Sequence, residues 1–230
     1  MQLNKEFITK YENLVSEDST YAIEFCINEL SKTKNKEIYI FLADAYMAED
    51  NFKKAIEILE KWLTLGGDDI CGLNLLGEAY FYLEDYIKSK NAFNKIIKID
   101  KFNFFARIYL TDIYIWEKRY IDAFDNMFKL LQSKKISEED RAFVEAKIGW
   151  IKLKYLNEIE DSSKYFLSSI KRDFSCGTAY IGLGTYNLKL ENYKEALRNY
   201  EIALELGENC LELQEGLNKA KNEIEKVIRM

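Results

Sequence analysis

Asp44, Glu78 and Asp112 recur at an interval of 34 residues, and aromatic side chains follow close behind, Phe81 and Tyr82 after Glu78 and Trp116 after Asp112. Carboxylates repeated at one spacing beside aromatic rings could hold positive groups through ion pairs and cation-π contacts. The residues for catalysis are missing. Histidine is absent, which removes the commonest general base and the commonest metal ligand. The four cysteines, Cys26, Cys71, Cys176 and Cys210, lack the close pairs of a thiolate zinc site. They read as reduced, mostly structural thiols in a chain long enough to need no disulfide. Gly182-Leu183-Gly184 lies inside a helical pattern, without the strand and turn that a phosphate loop requires. No catalytic residue, metal or cofactor is expected, and the chain reads as a non-enzyme.

The elements that would position these carboxylates follow from a second periodicity. Phe52, Tyr86, Tyr120, Ile159 and Tyr193 lie 34, 34, 39 and 34 residues apart. Each is followed three residues later by a small side chain, Ala55, Ser89, Ala123, Ser162 or Ala196. Nine residues before four of these anchors stands another small residue, Ala43, Gly77, Thr111 or Gly184. In each unit a stretch such as 38–48 has apolar residues at helical spacing, then comes a polar elbow, Glu49-Asp50-Asn51, then a second amphipathic stretch over 52–65. The unit is therefore a pair of antiparallel helices whose small residues allow close approach. One such pair cannot bury both apolar faces, so neighbours must stack into a solenoid.

These residues resemble the tetratricopeptide repeat. Leu76-Gly77, Tyr80, Tyr86, Ser89 and Phe93 match its pattern best, and Leu42-Ala43, Tyr46, Phe52, Ala55 and Leu59 repeat it. So do Leu110-Thr111, Tyr114, Tyr120, Ala123 and Met127, and Leu183-Gly184, Tyr193, Ala196, Tyr200 and Ala203. The family's closing proline is missing from every unit, since the chain has none. Gly66-Gly67, Gly207 and polar helix starters take its place. The resemblance implies an all-α, right-handed superhelical solenoid forming one domain over 1–230. Its repeats fall at 36–69, 70–103, 104–137, 142–176 and 177–210, after a degenerate hairpin over 2–35 and before a capping helix over 211–230.

The resemblance also implies that the first helix of each hairpin lines a concave groove. On that register the groove carries Asp44, Met47, Asn74, Glu78, Phe81, Tyr82, Tyr109, Asp112, Ile115 and Trp116, with Lys147, Lys154 and Tyr155 added if the fourth repeat keeps phase. The expected partner is a protein or peptide segment that combines Lys or Arg with apolar or aromatic side chains; the alternative is a structural module that assembles with itself or a larger complex. A carboxylate clamp, which family members build from Lys, Asn and Arg, finds Ile40, Asp44, Leu75, Phe105 and Tyr109 at the corresponding positions. No clamp is expected.

The fourth unit carries five extra residues, and Gly149 stands ten rather than nine before Ile159. The insertion is expected to divide between the linker at 137–141 and the elbow at 156–158, with Ser137-Glu138-Glu139-Asp140 starting a helix as a capping box. At the amino end, Leu3, Phe7, Tyr11, Leu14 and Val15 form one apolar face, and Ala22, Ile23, Cys26, Ile27 and Leu30 another. At the carboxyl end Leu213, Leu217, Ala220, Ile224 and Val227 predict a helix with a polar outer side that covers the last hairpin. With 33 basic against 39 acidic residues the net charge is −6, which disfavours nucleic acid. The charged first twenty residues leave no apolar core for a signal peptide, and no stretch is long enough for a membrane span. A cytoplasmic location is expected, and heavy use of Lys, Asn, Ile and Tyr points to an AT-rich bacterial genome.

Overall fold

A computed structural model describes residues 3–229; residue 2 of the expected first hairpin and residue 230 of the expected capping helix lie outside the described residues. Within them the fold is all-α, with thirteen α-helices and one π-helical turn. The first hairpin is α1 (Lys5–Glu17) and α2 (Ser19–Lys32), followed by α3 (Ile38–Ala48) with α4 (Phe52–Thr64) and α5 (Ile70–Tyr82) with α6 (Tyr86–Ile99). Next come α7 (Phe104–Trp116) and α8 (Tyr120–Leu131), then α9 (Glu138–Ile151), the π-turn (Lys152–Leu156) and α10 (Ile159–Arg172). The chain continues through α11 (Gly177–Lys189) and α12 (Tyr193–Glu205) and ends with α13 (Leu211–Arg229). Packing divides it into two compact units, Met1–Ile113 and Tyr114–Met230.

Every anchor is the first residue of a second helix. Two residues before each, the backbone turns left-handed, at Asp50, Glu84, Lys118, Asn157 and Glu191, with φ of 54, 60, 59, 55 and 61°. At four of the five elbows this closes a Schellman motif. The amides of Asn51, Asp85, Arg119 and Asn192 reach back five residues to the carbonyls of Tyr46, Tyr80, Tyr114 and Asn187 at 2.8–2.9 Å. The same residues open the following helix, and Asn51 and Asp85 also cap it by accepting from the amides of Lys54 and Lys88.

The small residues sit where the helices of a hairpin touch. A Cβ on Gly77 would stand 2.7 Å from the Phe93 ring, and one on Gly184 2.5 Å from Tyr200. Ala55, Ala123, Ser162 and Ala196 are fully buried, as is Ser89, whose hydroxyl donates to the Gly77 carbonyl at 2.8 Å.

The fourth hairpin absorbs four of its five extra residues inside its first helix, where the sequence suggested the linker, and the fifth at the elbow. Helix α9 starts at Glu138, where the capping box placed a helix start, with Ser137 accepting from the Asp140 amide at 3.0 Å. Gly77 lies seven residues into α5, but Gly149 lies eleven into α9. Four residues are one extra helical turn, which leaves the buried face nearly in phase. The fifth is taken up by the π-turn, so the elbow bond widens from five residues to six, Glu158 donating to the Lys152 carbonyl at 3.0 Å. Gly149 is thereby returned to the contact Gly77 makes elsewhere, 2.6 Å from the Phe166 ring for an added Cβ.

The terminal helices differ from expectation in two places. Phe7, Tyr11, Ala22 and Cys26 are buried in the first unit's core, with Leu3, Leu14, Val15, Ile23 and Leu30 packed around them, but Ile27 faces outward at 50% exposure. On α13, Leu213, Leu217 and Ala220 are buried, whereas Val227 is 65% exposed and so is not part of the seam. The reason is length: α13 has 19 residues against 13 in α12, so its last turns run beyond the surface they cover. Ile224, Val227 and Ile228 instead line an open cleft of about 590 Å³ with Tyr193, and the expected polar lid is apolar at its end.

Candidate functional site

In the first unit the first helices of three consecutive hairpins form the walls of a trough of about 470 Å³. Ile40, Phe41 and Asp44 come from α3, Cys71, Asn74, Leu75 and Glu78 from α5, and Phe105 and Tyr109 from α7. Spacings of three and four residues put each set on one helical face. No lysine or arginine lines the trough, and the five side chains at the clamp positions all belong to it.

Both of its carboxylates are held by a tyrosine from a neighbouring hairpin. Tyr11 of α1 donates to Asp44 Oδ2 at 2.6 Å, and Tyr109 donates to Glu78 Oε1 at 2.7 Å. Among the described residues these hydroxyls are the only hydrogen-bond partners of the two acids. Burial, and then the neighbouring carboxylate, pushes the hydroxyls of Tyr11 and Tyr109 far above the ordinary phenol range. They therefore remain protonated donors, and the acids remain oriented acceptors.

Asn74 stands one turn before Glu78 on α5. Its Oδ1 is buried and has no hydrogen-bond partner among the described residues. The remaining walls are apolar. Phe41 is fixed by edge contacts to Phe7 and Tyr11, with ring centroids 5.4 and 4.9 Å apart, while Phe105 is 62% exposed.

The trough gathers four of the ten expected residues, Asp44, Asn74, Glu78 and Tyr109. Met47 is half-buried in the last turn of α3. Phe81 makes T-shaped contacts with Tyr86 and Tyr109, and the exposed Tyr82 stacks on Phe52 at 4.8 Å. Asp112 is half-buried on α7, and Ile115 and the exposed Trp116 fall past the boundary, in the second unit. There Lys154 is ion-paired to Glu212 of α13 and lies 4.6 Å over the Trp150 ring, while Tyr155 stacks on Tyr120 at 4.8 Å. Phe41, Cys71 and the tyrosine partner of Asp44 escaped the sequence reading. Tyr11 stands 33 residues before Asp44, so only a near-period offset marked it, whereas Tyr109, 31 after Glu78, is among the expected groove residues.

The other candidate chemistry has a structural account. Gly182 and Gly184 are interior residues of α11 packed on Phe166 and Tyr200. All four cysteines are free, with Cys26 and Cys176 buried and Cys71 and Cys210 exposed. Burial pushes the Cys26 thiol up to about 12. Among the described residues no cluster of three or more metal-ligating side chains occurs, and no helix is long and apolar enough to cross a membrane.

Residues 36–65 and 72–103, which include most of the two hairpins α3–α4 and α5–α6, match the family model of the tetratricopeptide repeat. No curated protein matches the chain. Among solved structures, PilF of Pseudomonas aeruginosa is similar with a TM-score of 0.66 at 15% identity, over 84% of this chain and 91% of that one. A chain of the APC/C Cut9–Hcn1 hetero-tetramer aligns with a TM-score of 0.69 at 12% identity, over 94% of this chain and 46% of that one. YrrB, described as a tetratricopeptide-repeat protein with an unusual peptide-binding site, aligns with a TM-score of 0.60 at 16% identity, over 83% and 96%. Identities this low speak for a shared fold.

Proposed function

This chain carries tetratricopeptide repeats, and we propose that it is a non-enzymatic adaptor whose first unit binds a segment of a partner protein in the trough on α3, α5 and α7. The preferred segment combines Lys or Arg with apolar or aromatic residues. The observation that carries this reading is the pair of tyrosine-held carboxylates, Asp44 and Glu78, set among Ile40, Phe41, Leu75 and Phe105 with no cation lining the same walls. Acids fixed in an apolar trough discriminate by charge, because an anionic segment would be repelled and a neutral one would leave them unpaired. The peptide site named for YrrB supports the assignment by analogy of fold only. Four free thiols suit a reducing, cytoplasmic setting.

Capture from source-cell lysate with the wild-type chain beside the Asp44→Asn, Glu78→Gln, Asp112→Asn variant tests the proposal. A partner retained by the wild type and lost by the variant is expected. Equal capture by both would overturn it.

A second reading, assembly with another copy of the chain, is favoured by the exposed Val227 and Ile228 beside Tyr193. Capture of the chain's own copies alone, equal in both forms, is its signature in the same experiment.

A further inference from the structure

We infer that the cleft between the α11–α12 elbow and the end of α13 takes the α13 end of a second copy of this chain, making a closed two-fold dimer. The inference rests on the second reading above, assembly with another copy, and is independent of the trough.

The last turns of α13 run past α12 and carry Ile224, Val227 and Ile228 at spacings of three and four residues, which puts them on one helical face. With Tyr193 at the start of α12 they bound the cleft of about 590 Å³, and Val227 and Ile228 are exposed. The same helix end therefore supplies one apolar wall of the cleft and an apolar stripe of the kind that fills it. A patch that is its own complement pairs two copies about a two-fold axis.

Charge favours a second copy as occupant and sets its direction. The elbow wall carries Glu191 and Glu195 with Lys194 between them, so acid is in excess there, whereas the tip of α13 carries Lys226 and Arg229. Along α13 the acids Glu223 and Glu225 precede these bases, so an antiparallel copy sets acid against base along the stripe. Within one chain the four form surface pairs, Lys226 with Glu223 at 2.7 Å and Arg229 with Glu225 at 3.1 Å. Pairs of that kind contribute little and exchange readily for contacts across a dimer.

The side of α13 argues against open-ended stacking. One 34-residue period earlier, α11 presents Ile181 and Gly184 to Tyr200 of the following helix. Glu215 and Asn218 stand at the corresponding places on α13, and both are exposed. A further hairpin would meet polar side chains where α12 meets apolar ones, so the pairing closes at two copies and does not extend into a filament.

Sedimentation velocity of the full chain over a range of concentrations tests the dimer. Three apolar side chains a side make a small interface, so a dimer dissociation constant on the order of 10 μM is expected. The Val227→Glu, Ile228→Glu variant should raise that constant at least about tenfold, with an unchanged melting temperature because both positions are exposed. Two charge variants test the geometry: Lys226→Glu with Arg229→Glu, and Glu191→Lys with Glu195→Lys. Each alone should dimerise about tenfold more weakly than the wild type, and an equal mixture of the two should recover dimers, since each then offers the charge the other lacks. A chain that stays monomeric at every concentration overturns both this dimer and the assembly reading. Self-association that the Val227, Ile228 variant leaves intact, or charge variants that do not rescue one another, overturns the cleft as the interface while the assembly reading stands. Species that grow beyond two copies with concentration overturn the closed pairing.

Discussion

Asn74 and Tyr200 show opposite ways of burying a polar atom. The Tyr200 hydroxyl lies 3.0 Å from Thr185 Oγ1, whereas Asn74 Oδ1 has no partner. Replacing an unpaired buried acceptor with an apolar group of similar shape removes a desolvation cost, so Asn74→Leu is expected to raise unfolding free energy by about 1 kcal/mol in urea titration. A loss of stability would mean that the amide is satisfied in solution. The tyrosines give the molecule an alkaline limit. Burial raises the Tyr200 hydroxyl from 10.0 to about 12, against the weaker opposing effect of its bond with Thr185. The unfolded chain therefore loses this proton first: stability is full below about pH 10 and falls as the pH rises through the folded value. Melting temperatures from pH 9 upward should decline, and the Tyr200→Phe variant should decline less steeply, whatever its starting level. The acids were legible in the sequence because a 34-residue spacing is visible in residue types. Of their tyrosine partners, Tyr109 was expected in the groove but Tyr11 was not, because the two approach from neighbouring hairpins and share no common offset.

At the level of the helices, the elbow is what the sequence states most clearly. Anchor, small follower and left-handed residue keep one phase because the Schellman closure and the following cap use the same few positions. The π-turn could not be read in advance: one added residue has no compositional mark, and its evidence is the contact of Gly149 with Phe166 that it preserves. Deleting Lys154, which is 37% exposed and bonded outward to Glu212, should restore a regular five-residue elbow and lower stability by no more than about 1 kcal/mol. Deleting Val144 instead rotates the rest of α9 by 100° and buries the wrong face, so that variant should not fold. Urea titration of the two deletions, followed by circular dichroism, separates these outcomes. Equal destabilisation would mean that the extra residue is not stored in the π-turn. The end of α13 illustrates the reverse limit. Val227 fits the helical pattern of Leu213, Leu217 and Ala220, but periodicity carries no information on where the covering surface stops.

For the whole chain, composition bears on the class of partner and not on the site that would bind it. A net charge of −6 describes the entire molecule, while the proposed selectivity depends on two carboxylates in one trough of the first unit. The second unit contributes differently, since Lys154 is already engaged by α13 and is not offered to a ligand. The most direct measurement is calorimetric titration of the segment recovered by lysate capture into the wild type and the Asp44→Asn, Glu78→Gln, Asp112→Asn variant, at low and high salt. The wild type should bind about tenfold more tightly than the variant at low salt, and most of that difference should vanish at high salt as the charges are screened. Equal affinities and parallel salt dependence would contradict an acidic trough that selects cationic partners.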